Sequence, residues 1–510
     1  MGSWKRNLHL AVPLAFAAQV AYGQAGGLPG ETSARQTADT ELQNSINAEA
    51  AARAAGDTQL QNSINAEAAG RSAADTGLRN SINDETAARA LGEARLQGNI
   101  DAEAGARTAG DANLQTQIDQ LRNNGGGSGS GAVTVDCGAG QTVSQALASG
   151  AKQIIVRGAC HESVTIGKDD VTLQADPAGG RIDGPDPDTN TVQVTGNRVT
   201  IDGLTVTGGR NGITALGAAN MALRRCLVQS TGRTGIVYAN GASGSVDQCT
   251  AQSNARDGIA ADGAQTTITN STASSNTRFG IIISNGSTAR VGLTDRFVGA
   301  GNIISQNGGA GVVVSLGSAA IVAMNSITDN GTISTSSTRA GVSINQSTAS
   351  IAGGNTIARN AGTGVVAFGG ASVQVGDSSF GLPTLNTISR NGNTAQPGGI
   401  TVILGSTMVV RDAVIEENNG QGLLFSTRSQ GQLINTVIRN NVDAGNNTGD
   451  GIRLTLGSGV LPLTPGSTVT GNQGFGLQCT DGESSAVNTF APIVTFAGNG
   501  RGDVPNCSGF

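Results

Sequence analysis

Four short strings carry an arginine in the same place: Gly-Arg-Asn-Gly-Ile at 209–213, Gly-Arg-Thr-Gly-Ile at 232–236, Ala-Arg-Asp-Gly-Ile at 255–259 and Thr-Arg-Phe-Gly-Ile at 277–281. Arg210, Arg233, Arg256 and Arg278 each stand two residues before a Gly-apolar step, and after a gap at Gly309 so does Arg339. A guanidinium presents a rigid fork of donors that fits carboxylate, sulfate or phosphate. Stacked one above another, such groups repel unless they are splayed, paired or occupied by anions. A linear polyanion would meet them one at a time. Asp257, next to Arg256, adds a carboxylate suited to acid–base work with that arginine or to a metal. The same residues also fit a solvated row that holds no ligand.

Other chemistry-bearing residues are few. His161 is the only histidine beyond the first 23 residues, and Lys152 and Lys168 are the only lysines there. A lysine base in the middle of the chain is therefore excluded, whereas an arginine base is not. Asp183, Asp186 and Asp188, with Asn190, crowd the stretch DGPDPDTN and offer hard oxygen ligands. Calcium is conceivable there, against the plainer alternative of an Asx- and Pro-rich turn. The Arg-Gly-Asp string at 501–503 reads as coincidence within Gly-rich sequence. Tyr238 is the only tyrosine past residue 23 and no tryptophan follows that point, which disfavours stacking of neutral sugars and leaves ionic recognition as the better option.

The elements that must position these residues follow from the bulk pattern. The chain has 510 residues, of which 13% are charged and 77 are glycine. Such a composition suits many tight turns between short strands. Lys5 and Arg6 precede the apolar run LHLAVPLAFAAQVA, which reads as a secretory signal cut near Gly23-Gln24. Its loss removes two of the 31 basic residues and none of the 37 acidic ones, so the net charge moves from −6 to −8. Nucleic-acid binding through bulk charge is disfavoured. No later apolar run is long enough for a membrane helix. The expected location is secreted, periplasmic or cell-surface, where six cysteines favour disulfides over metal ligation.

Residues 24–122 repeat with a step of 18. Leu42, Leu60, Leu78, Leu96 and Leu114 keep it, as do Ile46, Ile64, Ile82, Ile100 and Ile118. Glu49, Glu67, Glu85 and Glu103 keep it too, each followed four residues on by Arg53, Arg71, Arg89 or Arg107. Eighteen residues make five α-helical turns, so each column falls on one stripe. That stripe is too narrow and too polar to fold alone, and a coiled coil is expected. Continuous over 31–122, the helix would extend ~140 Å, with Gly56, Gly92 and Gly110 weakening it by about 1 kcal/mol each. The segment resembles the stalks of trimeric phage fibres and bacterial surface adhesins, which implies a homotrimer. Residues 123–131, NNGGGSGSG, read as a flexible joint.

From residue 132 onward a Gly-apolar step recurs every 22, 23 or more residues, from Gly212-Ile213 to Gly476-Leu477. Nine residues before most of these glycines runs a column of Cys226, Cys249, Ser271, Asn302, Asn325, Asn355, Asn386, Asp412 and Asn435. Five residues on runs another: Asn254, Asn276, Asn307, Asn330, Asn360, Asn391 and Asn440. Stacked turns bury an apolar face that a single turn cannot, and asparagines at one corner can bond up and down the stack. Residues 132–510 thus resemble the right-handed parallel β-helix of the pectin-lyase-like superfamily, with a capping helix near 141–150. The expected fold is mostly β, a single-stranded parallel β-helix solenoid behind an α-helical coiled-coil stalk.

On that resemblance Cys226 and Cys249 share a column on adjacent rungs at a disulfide spacing. Cys137 with Cys160 brackets the cap, and Cys479 with Cys507 clamps the far end. Enzymes of this fold cleave or epimerise acidic polysaccharides. The Asn-Thr-Asp, Gly-His-Gly and Arg-Ile-Lys motifs of its hydrolases and the Asp-Pro-His-Asp of its uronate epimerases are absent. The sequence therefore points first to a non-catalytic surface or adhesion module gripping acidic polysaccharide through the arginine row, with no cofactor. The alternative is a polysaccharide lyase or depolymerase using Arg256 and Asp257.

Overall fold

The computed structural model describes residues 28–124 and 131–510, apart from stretches at 334–337, 377–384, 393–397, 444–448, 464–465, 482–483, 487–493, 505–506 and 508–510. The segment expected to be a secretory signal, most of the expected joint at 123–131, and the later repeat side chains of the first unit, Glu85 and those from residue 87 onward, fall outside the described residues. The chain divides into two units, Met1–Gly127 and Ser128–Phe510.

In the first unit a helix runs Leu28–Asn124. Identical sequence makes identical contacts one repeat apart. Gln43 donates to Asn47 and Gln61 to Asn65, both at 3.0 Å. Arg53 pairs with Glu49 at 2.5 Å and Arg71 with Glu67 at 3.4 Å, each one turn apart. The apolar columns are bare on the single chain. Leu42, Leu60 and Leu78 are 62–63% exposed, and Ile46, Ile64 and Ile82 are 53–56% exposed.

The second unit is a parallel β-helix. A helix at Val143–Ala148, capped by Thr142, closes its start. Thirteen described strands, from Val164–Ile166 to Leu477–Cys479, form one parallel sheet. The others form a 27-stranded array. Its pairings run in two series, one through Ser243–Asp247, Gln265–Thr269 and Thr288–Val291, the other through Thr250–Gln252, Thr272–Ser274 and Ile303–Ser305. Each coil thus contributes three short strands to three faces. The residue after each repeated glycine points inward, and Ile213, Ile236, Ile259, Ile281, Val312 and Val342 stack at 0–1% exposure. The glycines themselves are dictated by the neighbouring coil. A Cβ on Gly258 would lie 2.6 Å from Gly280 O and 2.7 Å from Asn276 Nδ2.

Buried side chains repeat as ladders. Asn276 Nδ2 donates to Asn307 Oδ1 at 2.9 Å and to Ala251 O at 3.1 Å. Its own Oδ1 accepts from Asn254 through the side chain at 2.9 Å and the backbone at 3.1 Å. The pattern continues coil by coil through Asn307, Asn330, Asn360, Asn391, Asn418, Asn441 and Asn472 to Asn499. Thr231 Oγ1 donates into its start at 2.9 Å, and Asp503 Oδ1 accepts from Asn499 at 2.8 Å at its end. A serine ladder runs at another corner, where Ser287 N donates to Ser318 Oγ and Ser318 N to Ser347 Oγ, both at 3.2 Å.

Three expectations need correction. Asn440 is not in the ladder; Asn441 is. The other column passes from Asn386 to Ala413 and Thr436, not through Asp412 and Asn435. Asp412 and Asn435 take left-handed turn positions instead, with φ of 46° and 47°, and bond each other outside at 2.6 Å. Asx side chains suit both places, so spacing alone misassigned them. Finally, Cys137–Cys160 and Cys479–Cys507 are disulfides, but Cys226 and Cys249 are free thiols. They begin that other column, which runs on through Ser271 to Asn302, and accept from the preceding coil as its asparagines do: Cys249 Sγ accepts from Cys226 N at 3.3 Å, and the two thiols are directed to the Arg224 and Asp247 carbonyls at 3.2 and 3.3 Å. The neighbouring Cys226 thiol, and after it burial, push the Cys249 thiol far above its usual range, against the Cys226 amide, which lowers it.

Replacing Asn307 by Ala strips the bonding partners from the amides above and below. A loss of about 2–5 kcal/mol is expected in chemical denaturation, and a clearly smaller loss for Asn499→Ala at the ladder's end. Equal losses would show that the ladder does not act through its two-sided bonding.

Candidate functional site

The arginines stand where the chain turns from one face of the coil into the thirteen-stranded sheet. Their stacking is set by the backbone: Arg256 N donates to Arg233 O at 2.8 Å, and Arg278 N to Arg256 O at 2.7 Å. Gly309 N bonds Arg278 O in the next coil, so the gap in the arginine column is a real step in the stack. Arg339 comes back into the column one coil later, with Val342 opposite Val312, and its Nε donates to Gly331 O at 3.0 Å. Arg210 begins the row as an exposed residue whose amide bonds Thr189 O at 2.8 Å.

The row is not a bare run of like charges. Asp257 is 2% exposed and lies between the coils. Arg278 grips it with both prongs, Nε to Oδ1 at 2.8 Å and Nη2 to Oδ2 at 2.6 Å. Phe279 N also donates to Asp257 Oδ1 at 3.3 Å, and Arg256 Nε lies 3.5 Å from Oδ2. Arg278 in turn lies over the Phe279 ring at 4.5 Å. One buried carboxylate therefore faces two guanidiniums, with Arg233 beyond them. Burial lowers the proton affinity of Arg256, and the positive charge of Arg278 lowers it further. Both side chains stay reachable, at 38% and 35% exposure.

Beside the row, the outer face of the sheet is apolar. Ala310, Val313 and Ala340 form a cluster of their own outside the main core, with Phe279, Ile282 and Val366 packed against it. Further along, Arg339, Ala340, Thr363, Val366, Phe368 and Ile403 line a cavity of about 240 Å³. Sequence reasoning, which weighed only tyrosine and tryptophan as platforms, passed over Phe279 and Phe368. It also missed Arg501. Gly476 N bonds Gly502 O and Arg501 N bonds Gly474 O at 3.0 Å each, the bonds that place Arg278 in its column. The arginine of the Arg-Gly-Asp string is thus the last member of the same column. It was hidden because Asp503 stands where the repeated coils from Gly212 to Gly476 have glycine.

The acidic stretch near residue 183 is built otherwise. Asp183 is paired by Arg181 at 2.6 Å and accepts from Thr207, with His161 3.5 Å away. Asp186 accepts from Asp188 N at 2.9 Å and Thr189 Oγ1 at 2.6 Å, an Asx turn that holds its carboxyl below the usual range. Among the described residues no three acids, histidines or cysteines converge as metal ligands.

A family model described as "right handed beta helix region" matches residues 186–296 and 338–491. No curated protein matches the chain at a significant level. Among solved structures, the A-module of the Azotobacter vinelandii mannuronan C-5 epimerase AlgE6 is 15% identical with a TM-score of 0.37, covering 71% of this chain and 93% of that one. The pectate lyase Pel9A is 14% identical at 0.33, covering 56% and 79%. Tailspike protein 3 of bacteriophage CBA120 is 13% identical at 0.34, covering 74% and 63%. At such values these likenesses carry nothing about chemistry.

Asp257→Asn keeps the shape of the clamp and removes its charge. It is expected to cost about 1–3 kcal/mol, less than for a fully buried pair because both arginines reach solvent. The midpoint of denaturant unfolding reads this directly, and an unchanged midpoint would remove Asp257 as the row's anchor.

Proposed function

The chain belongs to the right-handed β-helix family, a scaffold that hosts many activities, and we propose that it is an exported, self-associating, non-catalytic module that binds acidic polysaccharide along the Arg233–Arg256–Arg278 row. One observation carries this reading. Three guanidiniums are held in line by the backbone while a single buried carboxylate serves as counter-charge, which leaves a positive strip on a chain whose net charge is −6. Parallel strands repeat at about 4.8 Å, so a polymer lying along the axis meets one cation per coil. The apolar strip through Ile282 and Val313 offers a floor for the sugar rings.

The lyase alternative asks Asp257 to exchange protons with a substrate. That carboxylate is 2% exposed and already held on both oxygens, which favours binding over catalysis. Two disulfides support an oxidising compartment, and among the described residues no helix is long and apolar enough to cross a membrane. The exposed Leu and Ile columns of the stalk support a homotrimeric coiled coil, in which weak contacts of single rows would add as avidity.

Arg233→Ala with Arg256→Ala is expected to abolish salt-sensitive binding of the full chain to alginate, pectin or a glycosaminoglycan, measured by calorimetry. Unchanged binding would overturn the role of the row. Unsaturated products, followed by ultraviolet absorbance during the same incubations, would overturn the non-catalytic reading. For the stalk, light scattering of the full chain is expected to give three times the chain mass, and one chain mass after Leu60→Asn with Ile64→Asn. A monomeric parent would exclude the trimer.

A further inference from the structure

The constellation at Asp257 has a counterpart near the end of the solenoid. Asp450 stands directly before Gly451, as Asp257 stands before Gly258. Its Oδ1 accepts from Phe475 N of the next coil at 2.8 Å, as Asp257 Oδ1 accepts from Phe279 N. An arginine lies over each phenylalanine ring, Arg501 over Phe475 at 4.8 Å and Arg278 over Phe279 at 4.5 Å.

The two places differ in how the carboxylate is satisfied. Asp257 has a partner on each oxygen. Asp450 is fully buried, and among the described residues its Oδ2 has no hydrogen-bond partner. Among the described residues the nearest cation is Arg453 Nη1 at 3.7 Å, outside bonding distance, on a side chain 26% exposed. Arg453 belongs to the strand Ile452–Leu454, between two inward-facing residues, and so projects from the outer face of the thirteen-stranded sheet beside Gln478. Arg453, and Arg501 from its place over the Phe475 ring, thus both act on one buried charge, and neither grips it as Arg278 grips Asp257.

We propose that Arg453 and Arg501, held about the buried carboxylate of Asp450, form a second anion-binding subsite that takes a sulfate or carboxylate group of an acidic polysaccharide. It rests on the polysaccharide-binding reading given above and extends it. The column places Arg453 six coils and Arg501 eight coils beyond Arg278, or roughly 30–40 Å at about 4.8 Å per coil. A polymer that long can hold both ends of the row, and a short oligomer only one.

The buried charge also makes the subsite sensitive to acidity. The groups that face Asp450 are the Phe475 amide, Arg453, Arg501 and Asp443. Burial raises its proton affinity above the ordinary carboxylate range, and the amide and the arginines only partly offset that. As pH falls through this raised value the carboxyl becomes neutral, and the net charge of the three groups goes from one positive to two. An anion is then held more tightly. For stability the sign follows: a raised folded-state value favours the fold at low pH, and that contribution is lost as pH rises through it.

The test uses the full chain and dextran sulfate, whose charge does not change with pH, at neutrality and at about pH 4.5. Arg453→Gln with Arg501→Ala is expected to weaken binding about fivefold in acid, the size of one partly screened charge contact, and to remove most of the acid strengthening. Asp450→Asn, which preserves shape, is expected to raise neutral-pH affinity towards the acid value and to flatten the pH response. If the double variant keeps both the affinity and the acid strengthening of the parent while Arg233→Ala with Arg256→Ala loses binding, the subsite is overturned and the main row stands. If the parent binds neither dextran sulfate nor alginate, both readings fall. Melting curves of each variant confirm that a loss of binding is not a loss of fold.

Discussion

A parallel coil places each residue one strand spacing from its counterpart, and everything in this solenoid answers to that short repeat. A side chain in the interior must tolerate a copy of itself, or a near copy, about 4.8 Å away. Valine and isoleucine meet the condition by stacking. Asparagine meets it by bonding, since its amide carries a donor and an acceptor that its neighbours complete. Glycine meets it where the next coil's carbonyl leaves no room for a Cβ. Residues that cannot meet it are placed at the turns.

Charge obeys the same rule with a different outcome. An arginine stacked on an arginine is unfavourable, and the structure offsets this with one acid for several bases. Asp257 is inserted one position after the arginine column, so that it reaches the guanidinium of the following coil and not only its own neighbour. Exposed pairs elsewhere join adjacent coils in the same way, as Arg359 does with Asp329 at 2.9 Å and Arg439 with Glu416 at 2.7 Å. What distinguishes the arginine row is that a single buried carboxylate, Asp257, lies against two of its guanidiniums.

Much of the fold was legible in the sequence because repetition is visible without knowing what is repeated. The Gly-apolar column needed no structure to be found, and neither did the 18-residue step of the stalk. Identity within a column was less secure where one residue type serves two purposes. Asn440 and Asn441 are adjacent and alike in sequence, yet one is a left-handed turn residue at φ 54° and the other a buried ladder member. Cysteines in a shared column satisfied the spacing of a disulfide but not its necessity, because a thiol can also fill a ladder site. The candidate site was legible as a row of arginines and no further. The bidentate hold of Arg278 on Asp257 joins residues 21 apart in sequence, and nothing local marks it. Arg501 was concealed by the loss of the very glycine that identifies its column.

The asparagine ladder has a direction. Every side-chain amide donates towards the later coil and accepts from the earlier one, so the amide dipoles add along the axis instead of cancelling. The two ends are therefore chemically unlike, with a bare acceptor at the first asparagine and a bare donor at the last. The chain closes the first with the hydroxyl of Thr231 and the second with the carboxylate of Asp503. The ladder itself is consequently something best lengthened from within. A coil spliced between two asparagine coils inherits complete bonding on both sides, whereas one appended after Asp503 finds an acceptor where it, too, would need to be given a donor.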